Sequence, residues 1–122
     1  MTAHVVYSAI DATRPATNST RVVELIRNEI GFTGLLMSDD LGMKALSGAY
    51  DERAGAAIAA GCDVALHCDG NLADMEAVAR GIGTLGPNGR RALAAVGPIR
   101  RKPRSAVGAT QLAQIETALA HV

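Results

Sequence analysis

Two neighbouring carboxylates, Asp39 and Asp40, follow directly on an apolar run in the segment GLLMSDDLGM, residues 34–43. A buried strand that ends in acidic residues places them at its carboxyl end, where parallel α/β proteins have their catalytic and ligand-binding residues. Such a pair could hold Mg²⁺ for phosphoryl transfer, form the acidic pocket of a receiver-type domain, or supply the nucleophile of a glycosidase. Alternatively, both carboxylates simply cap the turn after the strand.

The first two of these interpretations lack their usual partners. The sequence contains no glycine-rich phosphate loop of the GxxxxGK[ST] kind. A receiver-type pocket would also need an acceptor aspartate at a later strand end, for which Asp69 is a poor candidate, and a lysine directly after the last strand, where the sequence has none. A glycosidase nucleophile would need a second group that protonates the leaving oxygen.

Strand geometry separates the two carboxylates. Consecutive strand residues point to opposite faces, so Asp39 and Asp40 cannot aim at one point if the strand continues to Asp40. Asp39 shares its face with Met37, and Asp40 shares the other face with Ser38. We therefore expect one carboxylate to do the chemistry and the other to meet the following loop or helix.

The elements around this pair alternate between strands and helices. Strands are predicted at residues 3–7, 35–38 and 63–68, and helices at residues 21–30, 51–60 and 71–82. Ser19 or Thr20 is expected to cap the first helix and Asn71 the third, because their side-chain oxygens can accept N–H groups of the first turn. Gly31 and Gly61 are expected to end the first two helices.

This alternation implies parallel strands joined by crossover helices, either in a doubly wound sheet or in a piece of a (β/α)8 barrel. In both architectures the carboxyl ends of the strands lie along one edge. The acidic pair, His4 and the segment from His67 to Asp69 are therefore expected along that edge. For His67 we favour a buried histidine with satisfied hydrogen bonds over a residue that lines a cleft.

The composition is that of one folded domain whose core is built from small aliphatic side chains, since 48% of the 122 residues are hydrophobic and only 2% are aromatic. The sequence has no stretch typical of a membrane span or a signal peptide, so we expect a cytoplasmic protein without a membrane partner. Cys62 and Cys68 lack a second Cys/His pair, so a zinc site built on them is not expected, and no metal or cofactor is predicted.

A net charge of zero hides an asymmetry along the chain. Residues 1–79 carry five basic and eleven acidic side chains, whereas residues 80–122 carry seven basic side chains and one acid. The basic run RRKPR, residues 100–104, contains no interleaved aromatic residue, so we favour a solvated segment over a nucleic-acid partner. We divide the chain into βα units at 1–83 and a linker with a helical basic tail at 84–122.

Three ordered blocks carry a family resemblance: MTAHVVYSAIDATRPATNS, LIRNEIGFTGLLMSDDLGMKAL and ERAGAAIAAGCDVALHCDGN, which together cover roughly residues 1–83. They resemble the family 3 glycoside hydrolases, and specifically the bacterial cytoplasmic β-N-acetylhexosaminidases of cell-wall recycling. GFTGLLMSDDLGM is similar to the nucleophile motif of that family, and AGCDVALHC is similar to the strand that follows it.

The resemblance implies an α/β fold that is the carboxyl-terminal part of a (β/α)8 TIM-type barrel, with about three parallel βα units. It also implies a retaining glycosidase that removes terminal β-linked N-acetylglucosamine from saccharides or muropeptides during peptidoglycan recycling, without a cofactor. By position in the motifs, Asp39 matches the nucleophile, Asp40 its supporting neighbour and His4 a substrate-binding histidine.

The predicted units fall short of a whole barrel, which takes about 250 residues. In the family, an upstream mobile loop carries a histidine paired with an aspartate as the general acid/base, and this sequence has no counterpart of that loop. We therefore expect little or no glycosidase activity from the isolated chain, unless a complementing amino-terminal chain or self-association completes the site. The alternative is a non-catalytic α/β remnant or interaction module.

Overall fold

A two-stranded parallel sheet lies at the centre of the fold. The structure, a computed structural model, describes residues 1–100, 114 and 116–120. Strand β1 (Met37–Asp40) pairs with strand β2 (Val64–Leu66), with Met37 opposite Val64 and Asp40 opposite Leu66. Between these two pairs β1 has one residue more than β2, so β1 carries a bulge immediately before the sheet ends.

The described helices are α1 (Thr20–Glu24), α2 (Tyr50–Ala60), α3 (Leu72–Gly81) and α4 (Pro87–Arg100). A 3₁₀ turn (Ala16–Asn18) precedes α1, and a π-helical segment (Leu25–Glu29) continues it. None of these helices is both long and apolar enough to cross a membrane.

The local signals for helix ends are confirmed. Ser19 caps α1 by accepting the N–H of Val22, and the side chain of Asn71 caps α3. Gly31 and Gly61 have φ values of 73° and 111°, which lie in the left-handed region that favours glycine. The predicted helices at 51–60 and 71–82 agree with α2 and α3 to within one residue at each end.

The core lies between the sheet, α2 and α3. Its buried members are small or aliphatic, as the composition predicts: Leu41, Leu46, Ala54, Ala57 and Val78. Helices α2 and α3 approach closely enough that a Cβ atom added to Gly81 would lie 2.1 Å from the carbonyl oxygen of Asp51. The two helices can approach this closely only because Gly81 has no side chain.

Hydrogen bonds and one ion pair fix the segment that leads into β1. The Arg27 guanidinium donates through Nη1 to the carbonyls of Phe32 and Gly34, and through Nη2 to Asp63 Oδ2 at 2.6 Å. The same oxygen of Asp63 accepts the N–H of Leu36 at 2.8 Å. One ion pair therefore joins the end of the first helical region to the starts of both strands.

The loop before α1 is organised by the carboxylate of Asp11. Its Oδ2 accepts the hydroxyl of Ser19 at 2.7 Å, and its Oδ1 accepts the N–H and hydroxyl of Thr13 and the N–H of Arg14. These donors, led by the Ser19 hydroxyl, hold the pKa of Asp11 far below its usual range because they stabilise the ionised form. Asp11 thereby ties this loop to the capping residue of α1.

The strand predicted at residues 3–7 is wrong, so the described residues contain two parallel strands rather than three. Thr2 donates its N–H to the carbonyl of Met37 at 2.8 Å, but the next carbonyls of this segment accept from the 3₁₀ turn instead of from β1. Ala3 accepts from Thr17, and Val5 accepts from Ala16. Because its hydrogen bonds go to that turn, the segment forms no ladder despite its β-branched residues.

The strand bounds predicted for the sheet also need correction. The second predicted strand, 35–38, lies at 37–40, so the acidic pair belongs to the strand instead of following it. The third, 63–68, is shorter, because the N–H of Cys68 bonds to the side chain of Asp40 and not to a strand carbonyl. In the region 84–122, predicted as a linker with a helical basic tail, helix α4 begins at Pro87. Most of the basic run at residues 100–104 and part of the tail beyond it lie outside the described residues.

Candidate active site

The carboxyl end of β1 is built around the hydroxyl of Ser38, which is fully buried. Its Oγ accepts the N–H of Leu66 at 2.9 Å and donates to the carbonyl of Asp39 at 2.7 Å. A side chain of β1 thus takes the place of a backbone acceptor for β2, which accounts for the extra residue at the bulge. Ser38 was given no role from the sequence. The feature that could have indicated one is a small hydroxyl side chain directly before two acidic residues.

Asp39 is half-buried at this bulge, and its carboxylate has few contacts. Oδ1 accepts the N–H of Asp40 at 2.9 Å. Among the residues that the structure describes, no other hydrogen bond or ion pair involves this carboxylate. One carboxylate oxygen is therefore available to a reactant at the carboxyl edge of the sheet.

Asp40 has a different environment. Its Oδ1 accepts the N–H of Gly42 at 3.0 Å and the N–H of Cys68 at 3.2 Å. These bonds join the loop after β1 to the chain that leaves β2. Oδ1 of Asp40 thus accepts two backbone groups from beyond its own peptide, whereas the described bond of the Asp39 carboxylate goes only to the next residue, so the two neighbouring acids have different surroundings.

His4 contacts the backbone beside this pair. Its Nε2 lies 2.8 Å from the carbonyl oxygen of Asp40, which can only accept, so Nε2 carries a proton. In the neutral ring Nδ1 then accepts the hydroxyl of Thr17 at 2.9 Å, and Thr17 Oγ1 accepts the hydroxyl of Thr2 at 2.9 Å. This network, not a strand end, positions His4, and both ring nitrogens are used within it. Its predicted role in substrate binding stays a prediction.

His67 lies just beyond β2, with only 5% of its side chain exposed and with the Tyr50 ring edge-on at 4.7 Å. Nε2 is 2.7 Å from Asp69 Oδ1, but the ring N–H is not directed at that oxygen, and Nδ1 is 3.9 Å from Asp40 Oδ1. Neither ring nitrogen makes a hydrogen bond to any of the residues that the structure describes. The histidine is buried, as expected, but the expectation that its hydrogen bonds would be satisfied is wrong.

The two cysteines have the properties of protonated thiols. Burial raises the pKa of the Cys62 thiol. Partial desolvation, followed by the negative charges of Asp40 and Asp39, raises the pKa of the exposed Cys68 thiol. Both thiols are therefore poor nucleophiles at neutral pH.

Comparison with known proteins gives a consistent picture. Residues 1–96 match the profile of the Glycosyl hydrolase family 3 N terminal domain. A Beta-hexosaminidase of Shewanella frigidimarina is 46% identical over 74 residues, which are 59% of this chain and 22% of that protein. A Beta-hexosaminidase of Bordetella pertussis is 48% identical over 77 residues, covering 61% of this chain and 22% of its own length.

A third relative, a Beta-hexosaminidase of Tolumonas auensis, is 40% identical over 84 residues, which are 67% of this chain and 25% of that protein. The chain therefore spans about a quarter or less of the length of the curated relatives that it matches.

Proposed function

The chain belongs to glycoside hydrolase family 3, and from this membership we propose that it supplies the nucleophile of a retaining β-N-acetylhexosaminidase, with Asp39 in that role. The observation that carries the proposal is the carboxylate of Asp39, which stands at the carboxyl edge of a parallel sheet with one oxygen that no described residue engages. The two parallel strands joined by α2 are consistent with part of a TIM-like barrel.

In the proposed reaction the Asp39 carboxylate attacks the anomeric carbon of the sugar and forms a glycosyl ester, while the bond to the leaving oxygen breaks. A general acid donates a proton to that oxygen. Water then attacks the same anomeric carbon and gives its proton to the conjugate base of that acid, the ester bond to Asp39 breaks, and the sugar leaves with its original configuration.

The contacts of the neighbouring acid favour Asp39 over Asp40. If Asp40 were the nucleophile, movement of its carboxylate toward a sugar would strain the bonds of its Oδ1 to the N–H groups of Gly42 and Cys68, which join the loop after β1 to the chain that leaves β2. Meanwhile the hydroxyl of Ser38 holds the carbonyl of Asp39, which fixes the backbone that carries the proposed nucleophile. Asp40 would then serve as a structural support for this loop.

The proposed substrates are saccharides or muropeptides with terminal β-linked N-acetylglucosamine, as in cytoplasmic peptidoglycan recycling. Two findings support this class: the relatives that carry the name Beta-hexosaminidase, and the motif GFTGLLMSDDLGM around Asp39. His4 is proposed to act at the same site, where its bond to the Asp40 carbonyl lies one residue from Asp39.

We propose further that the isolated chain turns over slowly, because Asp39 lacks a proton donor at hand. Within the described residues no histidine or carboxylic acid contacts its carboxylate, and losing general acid catalysis typically costs about 10²–10⁴-fold. A complementing amino-terminal chain would supply the donor. The half-exposed apolar side chains of Val5, Val6 and Tyr7 offer such a partner a surface beside β1.

Trapping of the glycosyl intermediate tests the nucleophile. We expect a 2-fluoro glycosyl fluoride to add one sugar mass to the chain, localised to Asp39 by tandem mass spectrometry, and to leave Asp39→Asn unlabelled. Asp51→Asn, which removes the same charge in the first turn of α2, serves as the matched control and should label like the parent.

Turnover is measured separately with 4-nitrophenyl N-acetyl-β-glucosaminide. Label on another residue, or equal labelling of Asp39→Asn, would overturn the assignment of the nucleophile. A folded chain that takes no label at all would favour the non-catalytic interaction module. Rapid Asp39-dependent release of nitrophenol by the isolated chain would contradict the proposed slow turnover.

A further inference from the structure

Three side chains that the proposed glycosidase chemistry does not use converge beyond the carboxyl end of β2. They are His67, Asp69 and Asp74. One ring nitrogen and one oxygen atom from each carboxylate lie within 4.8 Å of one another. His67 follows the strand, Asp69 lies in the turn, and Asp74 stands in the first turn of α3. The chain thus brings one imidazole and two carboxylates together within eight residues of sequence.

The imidazole gives an independent indication of a missing partner. With 5% of its side chain exposed, His67 has lost nearly all contact with water, yet neither ring nitrogen makes a hydrogen bond to a described residue. Buried polar atoms in folded proteins are almost always paired. Nε2 lies 2.7 Å from the oxygen of Asp69, an ion-pair contact without a directed N–H, so a cation ligated by both atoms would satisfy them once this contact opens.

The two carboxylates also favour a positive charge at this point. Asp69 accepts the N–H of Asn71 through the same Oδ1 that lies 2.7 Å from His67 Nε2. Asp74 faces it from the capped end of α3, where the side chain of Asn71 accepts the N–H of Asp74 itself. Two carboxylates held this close repel each other unless a proton or a cation lies between them.

We propose that His67, Asp69 and Asp74 bind one divalent transition-metal cation, for which Zn²⁺ is the best chemical match. One imidazole nitrogen with two carboxylate oxygens is a donor set suited to zinc, whereas Mg²⁺ and Ca²⁺ prefer oxygen ligands alone. Three protein ligands leave a fourth position of a tetrahedral ion open to water or to a substrate atom.

The geometry requires small adjustments. Zinc bonds of about 2.0–2.2 Å place tetrahedral ligand atoms about 3.4 Å apart, so the 2.7 Å contact between His67 and Asp69 must open while the widest separation in the cluster closes. Asp69 can make this movement because 40% of its side chain is exposed. The buried His67 ring can then remain where it is.

The other nitrogen of the ring connects this cluster to the proposed active site. Metal-bound histidines usually donate their second N–H to a carboxylate, and the carboxylate nearest to His67 Nδ1 is that of Asp40, at 3.9 Å. Metal binding at Nε2 leaves the proton on Nδ1, where it faces Asp40. A cation at this cluster would therefore restrict the motion of Asp40, the residue next to Asp39.

Isothermal titration of the full 122-residue chain with ZnCl₂ tests the proposal. We expect one equivalent of Zn²⁺ to bind and to raise the melting temperature, and MgCl₂ to bind more weakly. Asp69→Asn and Asp74→Asn should each weaken zinc binding by about tenfold or more, since each removes one of three ligands. Glu76→Gln, an exposed acid on the same helix, is the matched control and should bind like the parent.

The two aspartate variants keep the test informative if a change at the buried His67 impairs folding, and circular dichroism without metal shows whether each variant is folded. Absence of zinc binding, or equal binding by Asp69→Asn, Asp74→Asn and Glu76→Gln, would overturn the proposal. Loss of binding in Cys68→Ser alone would assign the ion to that exposed thiol and would overturn it as well. Because labelling of Asp39 is measured without added metal, failure here leaves the proposed nucleophile unaffected.

Discussion

The buried hydroxyl of Ser38 determines how β1 ends, and Ser38→Ala removes it with little change in volume. The substitution leaves the N–H of Leu66 without its acceptor at 2.9 Å and the carbonyl of Asp39 without its donor at 2.7 Å. An unsatisfied buried polar group costs about 1–3 kcal/mol. Since Ser38 is fully buried, we expect Ser38→Ala to lower the free energy of unfolding by about 2 kcal/mol.

Urea unfolding followed by circular dichroism measures this difference. Ser47→Ala is the matched control, because Ser47 is exposed and makes no described hydrogen bond, and it should change the free energy of unfolding by less than about 0.5 kcal/mol. We also expect slower labelling of Asp39 by the fluorinated sugar in Ser38→Ala. Equal stability of the two variants would refute the idea that the hydroxyl substitutes for a backbone acceptor in the sheet.

Three further changes test the packing and electrostatics of the fold. Gly81→Ala should lower the free energy of unfolding by about 1–3 kcal/mol in urea, because the new Cβ meets backbone, whereas Gly83→Ala, in open space, should not. The depressed pKa of Asp11, caused first by the Ser19 hydroxyl, means that its stabilisation is complete above the ordinary value of 3.8 and declines as the pH falls further. Urea midpoints from pH 6 to pH 2.5 should fall less steeply for Asp11→Asn. Arg27→Met should lower the melting temperature measurably, since it leaves a mostly buried carboxylate unpaired.

The helices of this protein could be predicted from sequence because their signals are local. Asn71 lies directly before α3, and Gly61 lies directly after α2, so each acts on backbone groups within one turn. The small residues Ala54 and Ala57 form the buried face of α2, whereas the apolar Leu72 and Met75 of α3 are exposed. The caps and stops depend on neighbours in sequence, and the structure reproduces them.

The strands depend on distant partners and were predicted less well. The bulge in β1 arises because the hydroxyl of Ser38 bonds to Leu66, 28 residues later, which no pattern around Ser38 reveals. Residues 3–7 have strong β propensity, but their carbonyls bond to the turn at 16–18, and tertiary context outweighs propensity.

The candidate site shows the same division between local and distant information. The position of the acidic pair at the carboxyl edge could be predicted. One difference between Asp39 and Asp40 in the structure is the N–H of Cys68, which comes from the chain beyond β2. The surroundings of His67 also depend on a distant contact, since the Tyr50 ring of α2 lies edge-on to it.

The shared hydroxyl of Ser38 also makes the Leu66 amide a natural spectroscopic reporter. That amide proton bonds to the same oxygen whose own proton holds the backbone of Asp39. Its chemical shift and its rate of exchange with deuterium should therefore follow any movement of the Asp39 backbone, although Leu66 lies on the other strand. Nuclear magnetic resonance of this single amide can monitor ligand binding at the edge of the sheet without a probe attached to the carboxylate.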